Sequence, residues 1–185
     1  MQFRSLGNSD IEVSALGLGC WAIGGPYWHN GNANGWGKVD DNESISGIHK
    51  AIDNGVNFFD TADIYGCGHS EKILAKAIQG KRDQMIIATK FGITFDELDR
   101  SVTGECDEPE YIRKACEASL SRLDTDYIDL YQFHLGHSDN GEIVCKVLED
   151  LVLEGKIRSY GWSTDSPERA KIFSEGHIVS RFSKN

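Results

Sequence analysis

Met85-Ile86-Ile87-Ala88-Thr89, followed by Lys90, reads as a β-strand with no polar face. An unbroken apolar run, rather than alternation, belongs to a strand covered on both sides, as in a parallel sheet. Helix signals flank it in both directions. Upstream, Ser70 is placed to N-cap a helix whose Ile73, Leu74, Ala77 and Ile78 share one face, with Gly80 just past its end. Val56-Asn57-Phe58-Phe59-Asp60 is a short buried strand before it. Residues 42–54 carry Ile45, Ile48, Ala51 and Ile52 at helical spacing, with Asn42 or a neighbouring Asp as cap and Gly55 as the left-handed stop. Residues 11–20 alternate and read as a first strand running into a glycine turn. Downstream, Pro109 opens a helix with Ile112, Ala115, Cys116 and Leu120 on one face. Tyr127 to Phe133 is a strand, and Ile143, Val144, Val147, Leu148 and Leu151 mark a helix. Ile157 to Trp162 is a strand, Asp165-Ser166-Pro167-Glu168 opens a helix, and Ile178 to Phe182 reads as a last strand. The series is β-α-β-α, so the fold class is α/β with a parallel sheet and covering helices. Periodicity leaves open whether the sheet is doubly wound or curls into a barrel.

With 185 residues and no composition break, one domain over 1–185 is expected. Hydrophobic residues at 39% are enough for a core, and no apolar run approaches the ~20 residues of a membrane span. The net charge of −10, with scattered basic residues, disfavours nucleic acid and anionic membrane surfaces as partners. Five cysteines form an odd set without a C-x-x-C pair, which points to a reducing cytoplasm and away from disulfides or a zinc ribbon.

Strand interiors are apolar, but their C-terminal ends are not. Asp60, Lys90 and His134 each close a strand, and Tyr65 lies in the turn after Asp60. Ligand chemistry in parallel α/β folds gathers at those ends. A tyrosine hydroxyl is a weak acid, near ~10, and an adjacent ammonium favours its ionised form. Lys90 is the ammonium, Asp60 its anchoring partner, and His134 a group able to orient a carbonyl oxygen. Such a set protonates a carbonyl oxygen while hydride reaches the carbon, and the hydride requires a nicotinamide. The same spacing also fits a structural Asp–Lys pair and a hydrogen-bonded rim histidine.

The same residues carry a family resemblance. Phe3-Arg4-x-Leu6-Gly7-x-Ser9 and Val13-Ser14-x-Leu16-Gly17-Leu18-Gly19-x-Trp21 resemble the N-terminus of bacterial aldo-keto reductases. Phe59-Asp60-Thr61-Ala62-x-x-Tyr65-Gly66, then Ser70-Glu71, Ala88-Thr89-Lys90, Asp126-Tyr127-Ile128-Asp129-Leu130-Tyr131-Gln132-x-His134 and Gly161-Trp162-Ser163 follow in the family's order. The resemblance covers residues 3–175. It implies a (β/α)8 TIM-type barrel that reduces aldehydes or ketones with NADPH. By position, Tyr65 is implied as general acid, Lys90 as the residue that acidifies it, Asp60 as support and His134 as substrate-orienting. Trp21 is implied to line the substrate pocket, and Gly19, Cys20, Asp60, Ser163 and Thr164 to lie at the cofactor. Thr164 replaces the family's usual Asn, and Arg181 falls where a sixth-strand Gln is usual.

A full barrel takes roughly 250 residues or more, so about six βα units are expected here, lacking the units that stack on the nicotinamide and grip the adenosine phosphate. The expected function is an NADPH-dependent carbonyl reductase. An inactive barrel fragment, or a relative that only binds cofactor or a partner, is the alternative. An incomplete barrel leaves unpaired edges on its outer strands, through which self-association is expected.

Other features carry two readings each. His29-Asn30-Gly31-Asn32-Ala33-Asn34-Gly35-Trp36-Gly37 is a loop over the pocket, its aromatics facing an apolar or sugar-like substrate, or a solvent loop with Trp36 tucked under it. His134-x-x-His137 lacks a third ligand, so no metal is expected. Asp96-Glu97-x-Asp99 is expected to be a solvated acidic face, and Cys20 a quietly packed small residue rather than an oxidation-sensitive one. Asn42-Glu43-Ser44 matches a glycosylation pattern without any sign of secretion.

Overall fold

The computed structural model describes residues 1–7 and 9–174. In chain order its elements are β1 (Phe3–Ser5), β2 (Glu12–Ser14), β3 (Leu18–Gly19), a 3-10 turn at Ala22–Gly24, β4 (Tyr27–His29), β5 (Asn32–Asn34), α1 (Asp41–Asp53), β6 (Phe58–Asp60) and α2 (His69–Ala77). After a second 3-10 turn come β7 (Ile86–Phe91), β8 (Ile93–Asp96), β9 (Ser101–Glu105), α3 (Pro109–Leu123), β10 (Ile128–Phe133), α4 (Gly141–Leu153), β11 (Ile157–Trp162) and α5 (Pro167–Ser174).

Five strands form one parallel sheet in the order β3-β6-β7-β10-β11. The order is that of the chain, with no reversal. A doubly wound sheet reverses direction at a switch point; a sheet that always adds its next strand on the same side is the wall of a barrel. Strand order thus decides what periodicity left open. The expected strand at 178–182 lies outside the described residues, as does Arg181.

Register sorts the side chains. Gly19 pairs with Asp60, Asp60 with Ala88, Lys90 with Gln132, and Gln132 with Gly161, so these share one face. The alternate residues Phe59, Ile87, Phe91, Tyr131, Phe133, Tyr160 and Trp162 join the main core with the helix residues Ile73, Ile112, Val144 and Phe173. Aromatic rings bind this layer: Phe91 stacks on Tyr131 at 4.5 Å, and Phe133 lies 5.1 Å from Trp162.

Several expected boundaries shift for identifiable reasons. Residues 11–20 are not one strand. Glu12–Ser14 pairs antiparallel with Phe3–Ser5, and only Leu18–Gly19 enters the parallel sheet. Between them Ser14 turns its hydroxyl onto the Leu16 carbonyl, 2.7 Å away, and Gly17 passes so close to Phe58 that a Cβ would sit 2.8 Å from its ring. The β1–β2 hairpin packs Leu6, Ile11 and Val13 against Ile86, Ala88 and Leu130.

The α1 cap is Asp40, whose Oδ1 accepts the Asn42 and Glu43 amides at 2.8 and 3.1 Å. Ser70 is not a cap. α2 starts two residues earlier, at His69 after the cap position Gly68 at φ 89°, and ends at Ala77, short of Gly80. The Ser70 hydroxyl instead ties tertiary structure together.

Two hairpins replace expected loops. Asn30 and Gly31, both at positive φ (50° and 76°), turn β4 back onto β5. β8 and β9 pair antiparallel, and β4 joins β9, giving a four-stranded sheet over the ends of the main one. Asp96-Glu97-x-Asp99 forms the β8–β9 turn. Its Glu97 is not merely solvated: it receives Lys72 Nζ at 2.6 Å and Arg122 Nη1 at 2.9 Å. No described helix is long and apolar enough to cross a membrane.

Candidate active site

The ends of adjacent strands are drawn together by bonds that continue the sheet. Cys20 N–H donates to the Asp60 carbonyl (2.7 Å), Thr61 N–H to Ala88 (2.8 Å), Asp63 N–H to Lys90 (3.1 Å), His134 N–H to Phe91 (2.8 Å) and Ser163 N–H to Phe133 (2.8 Å). Asp60, Lys90, His134 and Ser163 thereby lie at one rim.

Lys90 is the centre. Its ammonium, 7% exposed, donates to Asp60 Oδ1 at 2.7 Å, to the Thr61 carbonyl at 2.8 Å and to Tyr65 Oη at 3.2 Å. All three ammonium protons are committed. Because Lys90 donates to the Tyr65 oxygen, the Tyr65 O–H remains free to donate elsewhere. Lys90 Nζ also lies 4.8 Å from the Tyr65 ring centroid. Asp60 keeps 39% of its side chain exposed, so the ion pair is reached from outside.

His134 meets Tyr65 edge-on, centroids 6.3 Å apart. Burial first, and then the Lys90 charge, hold its imidazole down to about 4, so the ring is neutral. Its Nδ1 is buried without a protein partner. On the other side Trp21 stacks on Tyr65 at 6.0 Å and 26°.

Two glycines fix this stack. A Cβ on Gly24 would lie 2.6 Å from the Tyr65 backbone, and one on Gly66, at φ 62°, would overlap the Gly24 carbonyl. The turn that carries Trp21 therefore rests backbone-to-backbone on the turn that carries Tyr65. Gly66 belongs to the motif that follows Asp60 but carries no role there, and Gly24, although it forms a visible Gly24-Gly25 pair, has none in the sequence either. Behind the turn, Ser70 Oγ donates to the Cys20 carbonyl (2.8 Å) and shares a 2.8 Å hydrogen bond with Thr61. The buried Glu71 accepts from Thr89 Oγ1 and Arg122 Nε, both at 2.6 Å, which anchors α2 beside Lys90.

The residues expected at a cofactor divide. A Cβ at Gly19 would meet nothing within 4 Å, so the end of β3 is open beside Asp60. Ser163 and Thr164 are half-buried at the end of β11, with the Thr164 hydroxyl accepting the Ser166 amide at 3.2 Å. Cys20 differs. Its side chain is fully buried in the core, its thiol faces the Leu18 carbonyl, and burial with the nearby Asp60 charge pushes its pKa up to about 12. Its backbone is engaged as well, the N–H by the Asp60 carbonyl and the carbonyl by the Ser70 hydroxyl. His137 points to Glu105 at 2.9 Å, and among the described residues no His/Cys/Asp/Glu group has a metal-binding arrangement.

Comparison with known proteins bears on the whole arrangement. The chain is 40% identical over 176 residues to the aldo-keto reductase YhdN of Bacillus subtilis, covering 94% of this chain and 50% of that protein. It superposes on aldo-keto reductase AKR11C1 from Bacillus halodurans, solved in its holo form, with TM-score 0.82 and 34% identity, covering 97% of this chain and 55% of the other. An aldo-keto reductase from Klebsiella pneumoniae, solved in complex with NADPH, matches with TM-score 0.70 and 26% identity over 93% of this chain and 53% of that one. The chain spans about half the length of the curated relatives it matches. Its parallel sheet and helices are an incomplete α/β barrel. The model of the Aldo/keto reductase family matches residues 15–180, and the chain belongs to that family.

Proposed function

We propose that this chain carries the proton-donating half of an NADPH-dependent carbonyl reductase site, acting on small aldehydes or ketones. The observation that supports it is the Lys90 ammonium held simultaneously by Asp60 and against the Tyr65 oxygen. A bound nicotinamide would supply hydride. Gly19, Asp60, Ser163 and Thr164 are the residues that would hold its ring end, and Trp21 the one beside the substrate.

In this reading the Tyr65 O–H donates to the substrate oxygen and passes its proton there. The Lys90 ammonium stabilises the phenolate that remains, and Asp60 holds that ammonium in place. Neutral His134 donates a second hydrogen bond to the same oxygen without competing as an acid. Residues 1–185 act as one domain, in the cytoplasm, with no nucleic-acid partner.

Saturable quenching of tryptophan fluorescence by NADPH in the micromolar range is the expected result for the folded chain. A folded chain that shows none overturns the cofactor part of the proposal. Tyr65→Phe keeps any NADPH binding and loses carbonyl reduction by a hundredfold or more, the usual scale for a missing general acid. Persistent turnover in Tyr65→Phe would remove Tyr65 from its role.

A further inference from the structure

Asp63 and Glu71 are buried acids, 2% and 0% exposed, with no part in the proton-donating set. Glu97 joins them from the β8–β9 turn, because Arg122 spans Glu71 and Glu97. Its Nε donates to Glu71 at 2.6 Å, its Nη1 to Glu97 at 2.9 Å and its Nη2 to Ser119 at 3.2 Å. Lys72 donates to Glu97 at 2.6 Å. The nearby ammonium groups are paired elsewhere, Lys90 with Asp60 at 2.7 Å and Lys114 with Glu110 at 2.9 Å. Among the described residues, then, Asp63, Glu71 and Glu97 face two cations of their own, Arg122 and Lys72. The cluster is one positive charge short.

The carboxyl left over is Asp63, whose Oδ1 is buried without a hydrogen-bond partner. Burial, and then the Glu71 charge, push its proton affinity well above the usual carboxylate range, against the opposing pull of Arg122 and Lys90. A proton makes up the missing charge.

Asp63 is also the most buried residue lining a cavity of about 250 Å³ beside α3 and the β8–β9 hairpin. Thr94 and Glu97 add polar lining, Phe95 and Tyr111 add aromatic rings, and Ala115 and Ala118 add methyl groups. Arg122 and Lys114 border it too, each already turned to carboxylates. An anion placed there would meet Glu71 and Glu97, and a neutral guest would leave the charge deficit as it is. A monocation takes the place of the proton, which Asp63 releases to solvent. An inorganic ion would leave the rings and methyl groups without a partner. An alkyl chain uses them, and aromatic faces also favour an ammonium.

We propose that this cavity binds a primary alkylammonium ion, its ammonium on Asp63 and its chain against Phe95, Ala115 and Ala118. The site stands apart from the reductase reading and does not depend on it.

The test is titration of the whole chain with n-propylammonium chloride, followed by the methyl signals of Thr94, Ala115 and Ala118 in NMR. These signals are expected to move saturably. Potassium chloride at the same ionic strength and 1-propanol at the same concentration are expected to leave them in place. Asp63→Asn keeps the shape of the side chain and removes its charge, and is expected to weaken binding about tenfold or more, the scale of one charged hydrogen bond. Ala118→Leu fills the cavity and leaves every carboxylate, and is expected to weaken it as much, read from Thr94 and Ala115. Unmoved signals, an equal response to 1-propanol or potassium chloride, or unchanged affinity in either folded variant overturns the proposal. If Asp63→Asn does not fold, Ala118→Leu decides alone.

Discussion

Opposite ends of the same sheet hold carboxylates paired with basic side chains, and they differ in what they leave unspent. At the N-terminal ends, Asp129 is 1% exposed and fully engaged. Its Oδ2 accepts Arg82 Nη2 at 2.8 Å and the Ile87 amide at 3.0 Å, and its Oδ1 accepts Arg158 Nη1 at 2.8 Å. Arg82 also lies over the Tyr127 ring at 4.0 Å. At the C-terminal ends, Asp60 is 39% exposed, the Tyr65 proton is free, and His134 Nδ1 has no partner. The residue types alone do not distinguish a clamp from a site. Residual hydrogen-bonding capacity does, and it marks the C-terminal end.

The comparison breaks most visibly under paired substitutions. Asp129→Ala removes the buried acceptor shared by Arg82, Arg158 and the Ile87 amide and is expected to cost about 3 kcal/mol of stability, read from urea midpoints. Tyr65→Phe, at the other end, is expected to leave the midpoint within about 0.5 kcal/mol while abolishing reduction. A large stability loss from Tyr65→Phe, or a small one from Asp129→Ala, would erase the division.

The next effect is in pH. The folded chain holds His134 down to about 4, whereas an unfolded histidine titrates near 6.5. Between those values the unfolded chain binds more protons. The His134 contribution is complete above about 6.5 and lost as pH falls towards 4, on the order of 3 kcal/mol in all. His134→Gln removes that slope, and urea midpoints at pH 7 and pH 5 in both proteins measure it. An unchanged slope would return His134 to the class of ordinary rim residues.

The smallest expected effect sharpens the picture of the rim. Gly66→Ala meets both a positive φ and the Gly24 carbonyl, so a loss of about 1–3 kcal/mol is expected, with a shifted Trp21 emission as the turns part. Gly80→Ala, also at positive φ but with open space around it, loses less.

The parallel strands were legible because double burial leaves apolar runs, as in 85–88, or strands rich in Ile, Leu, Tyr and Phe, as in 128–133. Their polar C-terminal residues stood out against that background, which made Asp60, Lys90 and His134 readable as neighbours. The hairpins were harder. β8 and β9 have half-exposed faces and carry Thr, Asp and Ser, so they lack the apolar signature. Asn30-Gly31, a strong turn signal, was obscured by the other glycines and asparagines beside it. Ser70 was readable as a cap because its type and place suit one. Only the three-dimensional approach of Cys20 and Thr61 gives its hydroxyl another use. Backbone contact between Gly24 and Gly66 leaves no periodicity at all.

Each strand of the main sheet pairs with the preceding strand of that sheet, so the order of synthesis is also the order across the sheet. The ribosome delivers them in that order, N-terminal strands first. Asp60 and Tyr65 emerge first, Lys90 then arrives on the strand that docks beside them, and His134 follows on the next. No segment has to wait for a distant one before the ammonium finds its carboxylate. Each pairing closes across a single crossover, so no contact in this half of the site has to span the whole sheet.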